Sequence, residues 1–238
     1  MRKEGEREAL ERQHALAMLA DRIAAAHPSH PLRVAVDGRT ASGKTTLADE
    51  IATMLRTMGR SVIRTSVDGF HRPRVERYRR GRFSAEGYLD DARDWTAIRH
   101  LLLDPLGPGG DLLYRTASFD LDSDQPVAQE PLRAMSDAIL IVDGTFLQRP
   151  ELADAWDVVI FVAVSEAVAV QRGAQRDATL LGGEDKAREM HERRYQPAFE
   201  LYQARVSPER RAHIVVDNND PGVLAVRHVP SPPREVGE

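Results

Sequence analysis

The sequence of 238 residues contains no cysteine. Disulfide bonds, thiolate zinc sites and cysteine nucleophiles are therefore excluded. The sequence also has no apolar run that approaches the roughly 20 residues needed to span a bilayer. Where a signal peptide would have an apolar core, the chain has the charged run MRKEGEREALERQ. These absences predict a cytoplasmic protein without a membrane partner.

An excess of basic residues is missing as well. The chain has 33 Lys and Arg residues against 37 Asp and Glu residues, which gives a formal net charge of -4. Proteins that bind the nucleic acid backbone usually carry a positive excess, so nucleic acid is not expected as the main partner. The hydrophobic fraction of 42% and the charged fraction of 29% are typical of a globular protein. The length suffices for one sizeable α/β domain.

Apolar runs and helical patterns alternate along the chain. Runs typical of parallel strands covered on both faces occupy residues 32–37, 61–68, 138–143, 157–164 and 214–218. Helical patterns occupy residues 4–26, 44–58, about 94–103 and 165–177. This order predicts a three-layer α/β/α fold with a mostly parallel sheet. We expect an N-terminal helix within residues 1–31, a main domain over residues 32–221 and a loose tail over residues 222–238.

The most specific motif joins the first predicted strand to the helix that follows it. The segment GRTASGKT fits the pattern G-x-x-x-x-G-K-[ST]. In such a P-loop, the backbone N–H groups and the positive end of the following helix hold phosphate oxygens. The motif therefore predicts a P-loop NTPase fold that binds a nucleoside triphosphate, taken to be ATP. The nucleotide-binding residues expected from it are Gly38, Thr40, Ala41, Ser42, Gly43, Lys44, Thr45 and Thr46.

Two side chains near this loop are suited to Mg²⁺. The hydroxyl of Thr45 follows Lys44, whose amine is expected to reach the β- and γ-phosphates. Asp143 ends the apolar run AILIVD, and ligands of open α/β sheets gather at the carboxyl ends of the strands. Because Mg²⁺ prefers oxygen ligands of this kind, the sequence predicts a metal site at Thr45 and Asp143.

A second acid, Asp68, indicates the reaction. It ends the strand predicted over residues 61–68, where a carboxylate can accept the proton of a hydroxyl group that attacks the γ-phosphate. The N-K-x-D segment typical of Ras-type GTPases is missing, and Gly144 stands where motor ATPases place a second acid. These features favour a kinase, with an ATPase or a nucleotide-dependent switch as the alternative.

Four segments, in this order, resemble the uridine kinase/phosphoribulokinase family of P-loop kinases: GRTASGKTT, VDGFH, IVDG and QRGAQRD. The resemblance covers roughly residues 32–221 and is greatest to the uridine (nucleoside) kinases. It implies an ATP- and Mg²⁺-dependent kinase that phosphorylates a hydroxyl of a small metabolite, with Asp68 as the catalytic base. It is also compatible with a homo-oligomer, because nucleoside kinases of this family are often oligomers.

The resemblance places a substrate region at about residues 69–125. It implies that Asp91 contacts the sugar and that Tyr114 covers the nucleoside base, while His71 is a candidate for orienting the acceptor. The family has a histidine shortly after that tyrosine to read a pyrimidine, whereas this sequence has SFD at residues 118–120. A nucleoside is therefore the first acceptor to consider, and pantothenate, a sugar or a phosphosugar is the alternative.

Within this region, the stretch HRPRVERYRRGR over residues 71–82 is strongly basic. A loop that contacts an anionic group and a plain solvated loop are both compatible with it. A surface for nucleic acid is a third interpretation, which the net charge disfavours.

The resemblance also implies a helical lid at about residues 172–195. Arg172 and Arg176 are spaced i, i+4 and share one helix face, and arginine side chains suit phosphate oxygens. Arg176 is predicted to act in catalysis and Arg172 in nucleotide binding, as the lid closes and excludes water. The segment LLGGED is the expected lid tip, and Tyr195 is expected in the core.

Overall fold

The structure, a computed structural model, describes residues 2–228, with side chains over residues 10–227. Most of the predicted tail, residues 229–238, lies outside the described residues. None of the helices within the described range is long and apolar enough to cross a membrane.

Six strands form the central sheet, and four short strands form two small ladders. The strands are, in chain order, β1 (Leu32–Gly38), β2 (Val62–Ser66), β3 (Leu113–Tyr114), β4 (Phe119–Asp120), β5 (Gln125–Pro126), β6 (Leu132–Arg133), β7 (Ile139–Gly144), β8 (Val158–Ala163), β9 (Ile214–Asp217) and β10 (Ala225–His228). The sheet has the order β10-β9-β8-β1-β7-β2, and its neighbours are parallel except for β9 and β10. β3 pairs with β6 and β4 with β5, both antiparallel. The ladders lie in the long connection between β2 and β7, which is the predicted substrate region.

Helices of very different length cover the sheet and build the lid. They are α1 (Arg2–Ala24), α2 (Lys44–Thr57), α3 (Arg74–Arg77), α4 (Trp95–Ile98), α5 (Glu166–Leu181), α6 (Glu184–Met190), α7 (Gln196–Val206) and α8 (Pro208–Arg211). Short 3₁₀ turns occupy Val67–Phe70 and Ala153–Ala155, and π-helical turns occupy Gly87–Asp91, Arg99–Leu103 and His191–Tyr195.

The two faces of the sheet pack into separate hydrophobic cores. On β1, Val34 and Val36 belong to the core that includes α1 and α2, whereas Ala35 between them belongs to the core that includes α4 and α7. The same alternation separates Ile141 from Val142 on β7. Because successive side chains of a strand point to opposite faces, this pattern produces the three-layer α/β/α arrangement that the sequence predicts.

The predicted elements are present with small shifts at their ends, and two regions differ. The helix predicted over about residues 94–103 is the short helix α4 followed by a π-helical turn. Residues 225–228, assigned to the tail, form strand β10, which corrects that prediction. The backbone of β10 pairs with β9, and Val226 packs against one of the cores. The apolar residues at the start of the predicted tail therefore belong to the sheet and its core.

Candidate active site

Backbone between β1 and α2 forms the phosphate cradle, residues 38–45. β1 ends at Gly38, and α2 begins at Lys44. In the described chain, no side chain caps the N-terminus of α2, and its first turn has no acidic residue. Its first N–H groups are thus left for a ligand, and the positive end of a helix favours an anion.

Gly43 is required in the cradle for two reasons. Its φ of 89° lies in the left-handed region that favours glycine, and a Cβ atom built there would lie 2.4 Å from Nδ2 of Asn218. Asn218, which follows β9, donates from Nδ2 to the carbonyl oxygen of Ser42 at 2.8 Å. The cradle is therefore fastened to the end of β9, a contact that the motif does not reveal.

Lys44 is buried at the base of the cradle, with 7% of its surface exposed. Its Nζ donates to the carbonyl oxygen of Arg39 at 2.7 Å. Burial lowers the pKa of Lys44 to about 8, although nearby carboxylates, that of Asp143 first among them, act in the opposite direction. Phosphate oxygens beside Nζ favour the charged amine and would raise this pKa.

Thr45 and Asp143 meet at the carboxyl ends of the strands. The hydroxyl of Thr45 donates to Oδ2 of Asp143 at 2.6 Å, and Nη1 of Arg64 lies 2.7 Å from Oδ1 in an ion pair. No cluster of three or more His, Asp or Glu side chains that could hold a metal ion occurs among the described residues. Mg²⁺ is usually held by one or two protein oxygens together with phosphates and water. A hydroxyl and a carboxylate at this position fit that ion.

Asp68 lies in the 3₁₀ turn directly after β2. Its side chain is 62% exposed, and Oδ1 accepts a hydrogen bond from Nη2 of Arg93 at 2.8 Å. Desolvation is the largest influence and would raise the pKa of Asp68, but the charge and hydrogen bond of Arg93, together with the smaller contributions of His71 and Lys44, outweigh it, and the pKa lies below its ordinary value. Asp68 is thus ionised at neutral pH and can accept a proton.

One cavity of about 290 Å³ collects the residues that the motifs single out. We call it the transfer cavity, and its lining includes Thr40, Ala41, Lys44, Thr45, Asp68, His71, Asp143 and Arg176. The structure thus brings together side chains from the cradle, from the ends of β2 and β7 and from the lid.

His71 stands beside Asp68 in this cavity. When Nδ1 carries the proton, it donates to the carbonyl oxygen of Asp68 at 2.8 Å and leaves Nε2 as an acceptor. Burial lowers the pKa of His71 to about 4, and the charge of Arg93 acts in the same direction. The imidazole is therefore neutral at neutral pH.

The predicted lid consists of the end of α5, α6 and the π-helical turn that follows. Gly182 and Gly183, with φ of 81° and 127°, separate α5 from α6 at the predicted tip. Arg176 lines the transfer cavity, and its guanidinium donates to the carboxylate of Asp177 at 2.7 and 3.0 Å. The lid therefore carries a positive group to the predicted place of transfer.

A buried histidine joins the two arms of the lid. Nε2 of His191 lies 2.9 Å from Oδ2 of Asp177. Desolvation would raise the pKa of Asp177, but hydrogen bonds from His191 and Arg176 lower it to about 2. A Cβ atom on Gly173 would lie 1.9 Å from Cε1 of His191. The arms can approach this closely only because residue 173 is glycine.

Five predicted nucleotide-binding residues are absent from the described lining of the transfer cavity: Gly38, Ser42 and Gly43 of the cradle backbone, and Thr46 and Arg172. The guanidinium of Arg172 donates to the carbonyl oxygens of Asn218 and Asn219, at 2.8 Å each. Thr46 is exposed on α2 and is absent from the cavity lining within the described chain. The shared helix face of Arg172 and Arg176 thus brings only the second of them to the site.

The two substrate contacts taken from the resemblance are placed elsewhere. Asp91 is 4% exposed, and Nη2 of Arg79 and Nε of Arg80 each lie 2.8 Å from its carboxylate. Tyr114, on β3, is 8% exposed and packs in a hydrophobic core. Neither lines the transfer cavity or the larger cavity beside it. Arginines of the basic stretch pair with Asp91, and Tyr114 is taken up by apolar packing. Their positions therefore do not support substrate contacts.

The transfer cavity is also lined by residues that the sequence did not place in the site, among them Tyr88, Arg93 and Tyr195. Arg93 is 4% exposed, and its Nε and Nη1 have no hydrogen-bond partner among the described residues. Tyr195, expected in the core, is half-buried and faces the cavity. For Arg93, the only signal was a charged residue between Ala92 and Asp94 in a segment otherwise expected to be buried.

A buried polar network lies behind the cradle. Oδ1 of Asp37 accepts hydrogen bonds from the backbone N–H groups of Gly38 and Phe146, at 2.8 and 3.2 Å. Its Oδ2 accepts from the hydroxyl of Tyr202 at 2.6 Å and from Nε2 of Gln148 at 3.1 Å. Burial nevertheless raises the pKa of Asp37. The network ties β1, the loop after β7 and α7 together beneath the site.

Comparison with known proteins agrees with this geometry. No protein-family model matches the chain. Over 204 residues the chain is 28% identical to uridine-cytidine kinase B of Dictyostelium discoideum, a match that covers 84% of this chain and 80% of the relative.

Solved structures show the same likeness. A Bacillus stearothermophilus protein described as a possible uridine kinase matches with a TM-score of 0.67 and 25% identity, over 86% of this chain and 98% of that one. The fold also matches a protein of Silicibacter sp. TM1040 that was proposed to be a fructose transport system kinase, with a TM-score of 0.64 and 24% identity, over 79% and 94% of the two chains. These findings support a phosphotransferase. Over most of its length, the chain is similar to uridine kinase-like P-loop kinases, as its motifs predict.

Proposed function

We propose that the protein is an ATP-dependent kinase that transfers the γ-phosphate to a hydroxyl group of a small metabolite. The observation that carries the proposal is that Asp68 lies in the same cavity as Lys44 and the Thr45–Asp143 pair. Phosphoryl transfer to a hydroxyl needs a phosphate-binding cation, metal-binding oxygens and a carboxylate that can accept a proton.

In this mechanism, Asp68 accepts the proton of the acceptor hydroxyl while that oxygen attacks the γ-phosphorus atom. The bond between this phosphorus and the oxygen that bridges to the β-phosphate breaks, and ADP leaves with the electron pair. Lys44 stabilises the negative charge on the phosphate oxygens. When the lid is closed, Arg176 can leave its ion pair with Asp177 and pair with these oxygens instead. Bound at Thr45 and Asp143, Mg²⁺ would supply further neutralisation of the phosphates.

The site is less suited to a hydrolase. Residue 144 follows the strand-end acid Asp143, at the position where a motor ATPase has a second acid. A Cβ atom on Gly144 would lie 2.4 Å from Cγ2 of Val67. A longer acidic side chain therefore does not fit there without a shift of Val67, which supports transfer to an acceptor over hydrolysis.

Two acceptor classes are proposed for this reaction. The similarity to uridine-cytidine kinase B makes a nucleoside such as uridine or cytidine the first candidate. Pantothenate, a sugar or a phosphosugar is the second. One observation favours those members of the second class that carry an anionic group, because an arginine-lined cavity adjoins the transfer cavity.

The test measures ADP release from ATP and Mg²⁺ with nucleosides, pantothenate, sugars and phosphosugars, against an acceptor-free control. We expect acceptor-dependent release by the wild type and a loss of about 10²–10⁴-fold in Asp68→Asn, because the general base is removed. The affinity for the ATP analogue AMP-PNP should not change. Asp137→Asn, an exposed carboxylate just before β7, is the matched control and should keep wild-type activity.

Other outcomes would replace the proposal. ATP turnover that needs no acceptor and survives Asp68→Asn would identify an ATPase or a nucleotide-dependent switch. Loss of AMP-PNP binding in Asp68→Asn would show that this carboxylate serves the nucleotide and not the hydroxyl group.

A further inference from the structure

A second cavity, of about 640 Å³, adjoins the transfer cavity. The cavities share six lining residues, which are His71, Tyr88, Leu121, Leu180, Leu181 and Tyr195. The cradle residues and Asp143 line the transfer cavity alone. The second cavity therefore extends the site on the side away from the phosphates, where the body of an acceptor would lie.

This second cavity is strongly cationic. We call it the arginine cavity, because its lining includes Arg74, Arg77, Arg82 and Arg194. Its one acidic lining residue in the described chain is Asp122, and Asp124 accepts hydrogen bonds from the backbone of Arg74 and from Nη2 of Arg77 at 2.9 and 3.1 Å. Four guanidinium groups against two carboxylates leave a positive excess.

Arg77 is buried in this wall with unused donors. The residue is 6% exposed, and Nε and Nη1 have no hydrogen-bond partner among the described residues. Burial lowers the pKa of Arg77, although the charge of Asp124 acts in the opposite direction. A buried charged group with unpaired donors costs free energy. Because Nε and Nη1 have almost no accessible surface, they would meet an oxyanion in the cavity after a small shift of the Arg77 side chain towards it.

Arg194 is equally buried but has a different role. Its guanidinium donates to the carbonyl oxygen of Arg77 at 3.1 Å and to that of Arg82, and it lies 4.5 Å from the ring centroid of Tyr78. These contacts tie the basic stretch to the π-helical turn of the lid. Arg194 therefore supports the wall, whereas Arg77 offers free donors.

We propose that the acceptor carries an oxyanion, either a carboxylate or a phosphate monoester, that binds Arg77 while the acceptor hydroxyl reaches Asp68. The inference rests on the proposed kinase function and narrows its acceptor to the anionic members of the second class, in place of a neutral nucleoside. An acceptor held at its charged end presents its hydroxyl group with less freedom, which favours transfer. A neutral acceptor would leave the buried donors of Arg77 unpaired, and sites with unpaired buried groups discriminate against such ligands.

The first arm of the test measures anion binding without turnover. Inorganic phosphate and acetate are titrated calorimetrically into the protein with saturating AMP-PNP and Mg²⁺, so that the cradle is filled. We expect one of the two anions to bind, and Arg77→Met to weaken it about 10- to 100-fold, the worth of hydrogen bonds from a charged donor. Arg79→Met is the matched control, because this side chain is 60% exposed and outside the cavity lining; it should bind the anion as the wild type does.

Arg74→Met is a second variant that keeps the test informative if Arg77→Met fails to fold. Arg74 is exposed in the same cavity, so its replacement should leave AMP-PNP affinity unchanged and weaken the anion less than Arg77→Met does. An unchanged AMP-PNP affinity in Arg77→Met shows that this variant is folded too.

The second arm compares neutral acceptors with related anionic ones. The set is glycerol, glycerate and glycerol 3-phosphate, together with ribose, ribose 5-phosphate and uridine. We expect the anionic member of at least one group to exceed its neutral counterpart about tenfold or more in kcat/KM, as one anchored charge predicts. Arg77→Met should remove the preference through KM. Glycerate against glycerol 3-phosphate, and acetate against phosphate, separate the carboxylate from the phosphate.

Two results would overturn the inference. In the first, a neutral acceptor has the highest kcat/KM of the set, and Arg77→Met leaves its turnover unchanged. In the second, neither anion binds to the AMP-PNP complex. If no acceptor is phosphorylated at all, the proposed kinase function fails, and the binding arm alone decides whether Arg77 anchors an anion.

Discussion

The phosphate cradle and the arginine cavity are built in opposite ways. The cradle is one continuous stretch, residues 38–45, in which backbone geometry does most of the binding. The arginine cavity is assembled from side chains on distant segments: Arg194 on the lid donates to the carbonyl oxygen of Arg77, 117 residues away in sequence. The proposed phosphate site is therefore a local feature of this chain, whereas the proposed acceptor site depends on how the segments pack.

The two regions also differ in how their charge responds to pH. The pKa of Lys44 in the cradle is lowered to about 8 by burial, so its charge is lost within an accessible range. The guanidinium of Arg77 stays protonated throughout that range. The lysine at the proposed nucleotide site can thus lose its charge, whereas the arginines at the proposed acceptor site keep theirs. Experiments at different pH can therefore separate the two regions.

Among the variants that test this comparison, Lys44→Met has the largest expected effect. Removing the amine that neutralises the phosphates should lower kcat/KM about 10²–10³-fold, the usual cost of losing one preorganised donor, and should weaken AMP-PNP. Lys186→Met, on the exposed surface of α6, is the matched control and should leave both values unchanged. Steady-state kinetics and calorimetry measure them. Full activity in Lys44→Met would break the comparison, because the cradle would then not be the nucleotide site.

Arg194→Met tests whether the arginine cavity depends on contacts between segments that are distant in sequence. Loss of this 2% exposed guanidinium leaves buried carbonyl oxygens without donors and should lower the free energy of unfolding by about 1–3 kcal/mol. It should also raise the KM of the acceptor without changing AMP-PNP affinity. Arg193→Met, at a 56% exposed neighbour, should stay within about 0.5 kcal/mol of the wild type in urea unfolding. Equal losses in both variants would refute the assignment of Arg194 to the cavity wall.

The smallest effect is a pH dependence confined to the cradle. Bound phosphates raise the pKa of Lys44 above its value of about 8 in the free protein, so binding above pH 8 takes up a proton. AMP-PNP affinity should therefore fall as pH rises, by at most about tenfold per pH unit. Calorimetry at pH 7.5, 8.5 and 9.5 in buffers of different ionisation enthalpy measures the uptake.

The control is the affinity of the protein for the anion, measured at the same three pH values. Anion binding at Arg77 should stay constant over this range, and Lys44→Arg should abolish the dependence for AMP-PNP. Proton uptake that persists in Lys44→Arg would assign it to another group.

Sequence patterns were sufficient to predict those features that depend on residues close together in the sequence. The cradle, the strand-end acids Asp68 and Asp143 and the five parallel strands could be predicted, because each depends on a short pattern of backbone or apolar residues. Tyr195 was misplaced because an i, i+4 aromatic pair has the same spacing in a core as on a cavity wall. Arg93 carried almost no signal, because its role depends on the antiparallel bridge that sets it opposite His71.

By itself, the sequence determined that this chain forms a mostly parallel α/β sheet with a P-loop after its first strand, and that the acids Asp68 and Asp143 lie at the carboxyl ends of two other strands. Only the tertiary structure decided that Asp91 is neutralised by Arg79 and Arg80, that Tyr114 is buried, and that Arg77, with two unpaired donors, lines a cavity beside the one that holds Asp68. The physical reason is that a glycine-rich turn is specified by its own φ and ψ angles. The partner of a buried charge is specified by whichever distant segment packs against it.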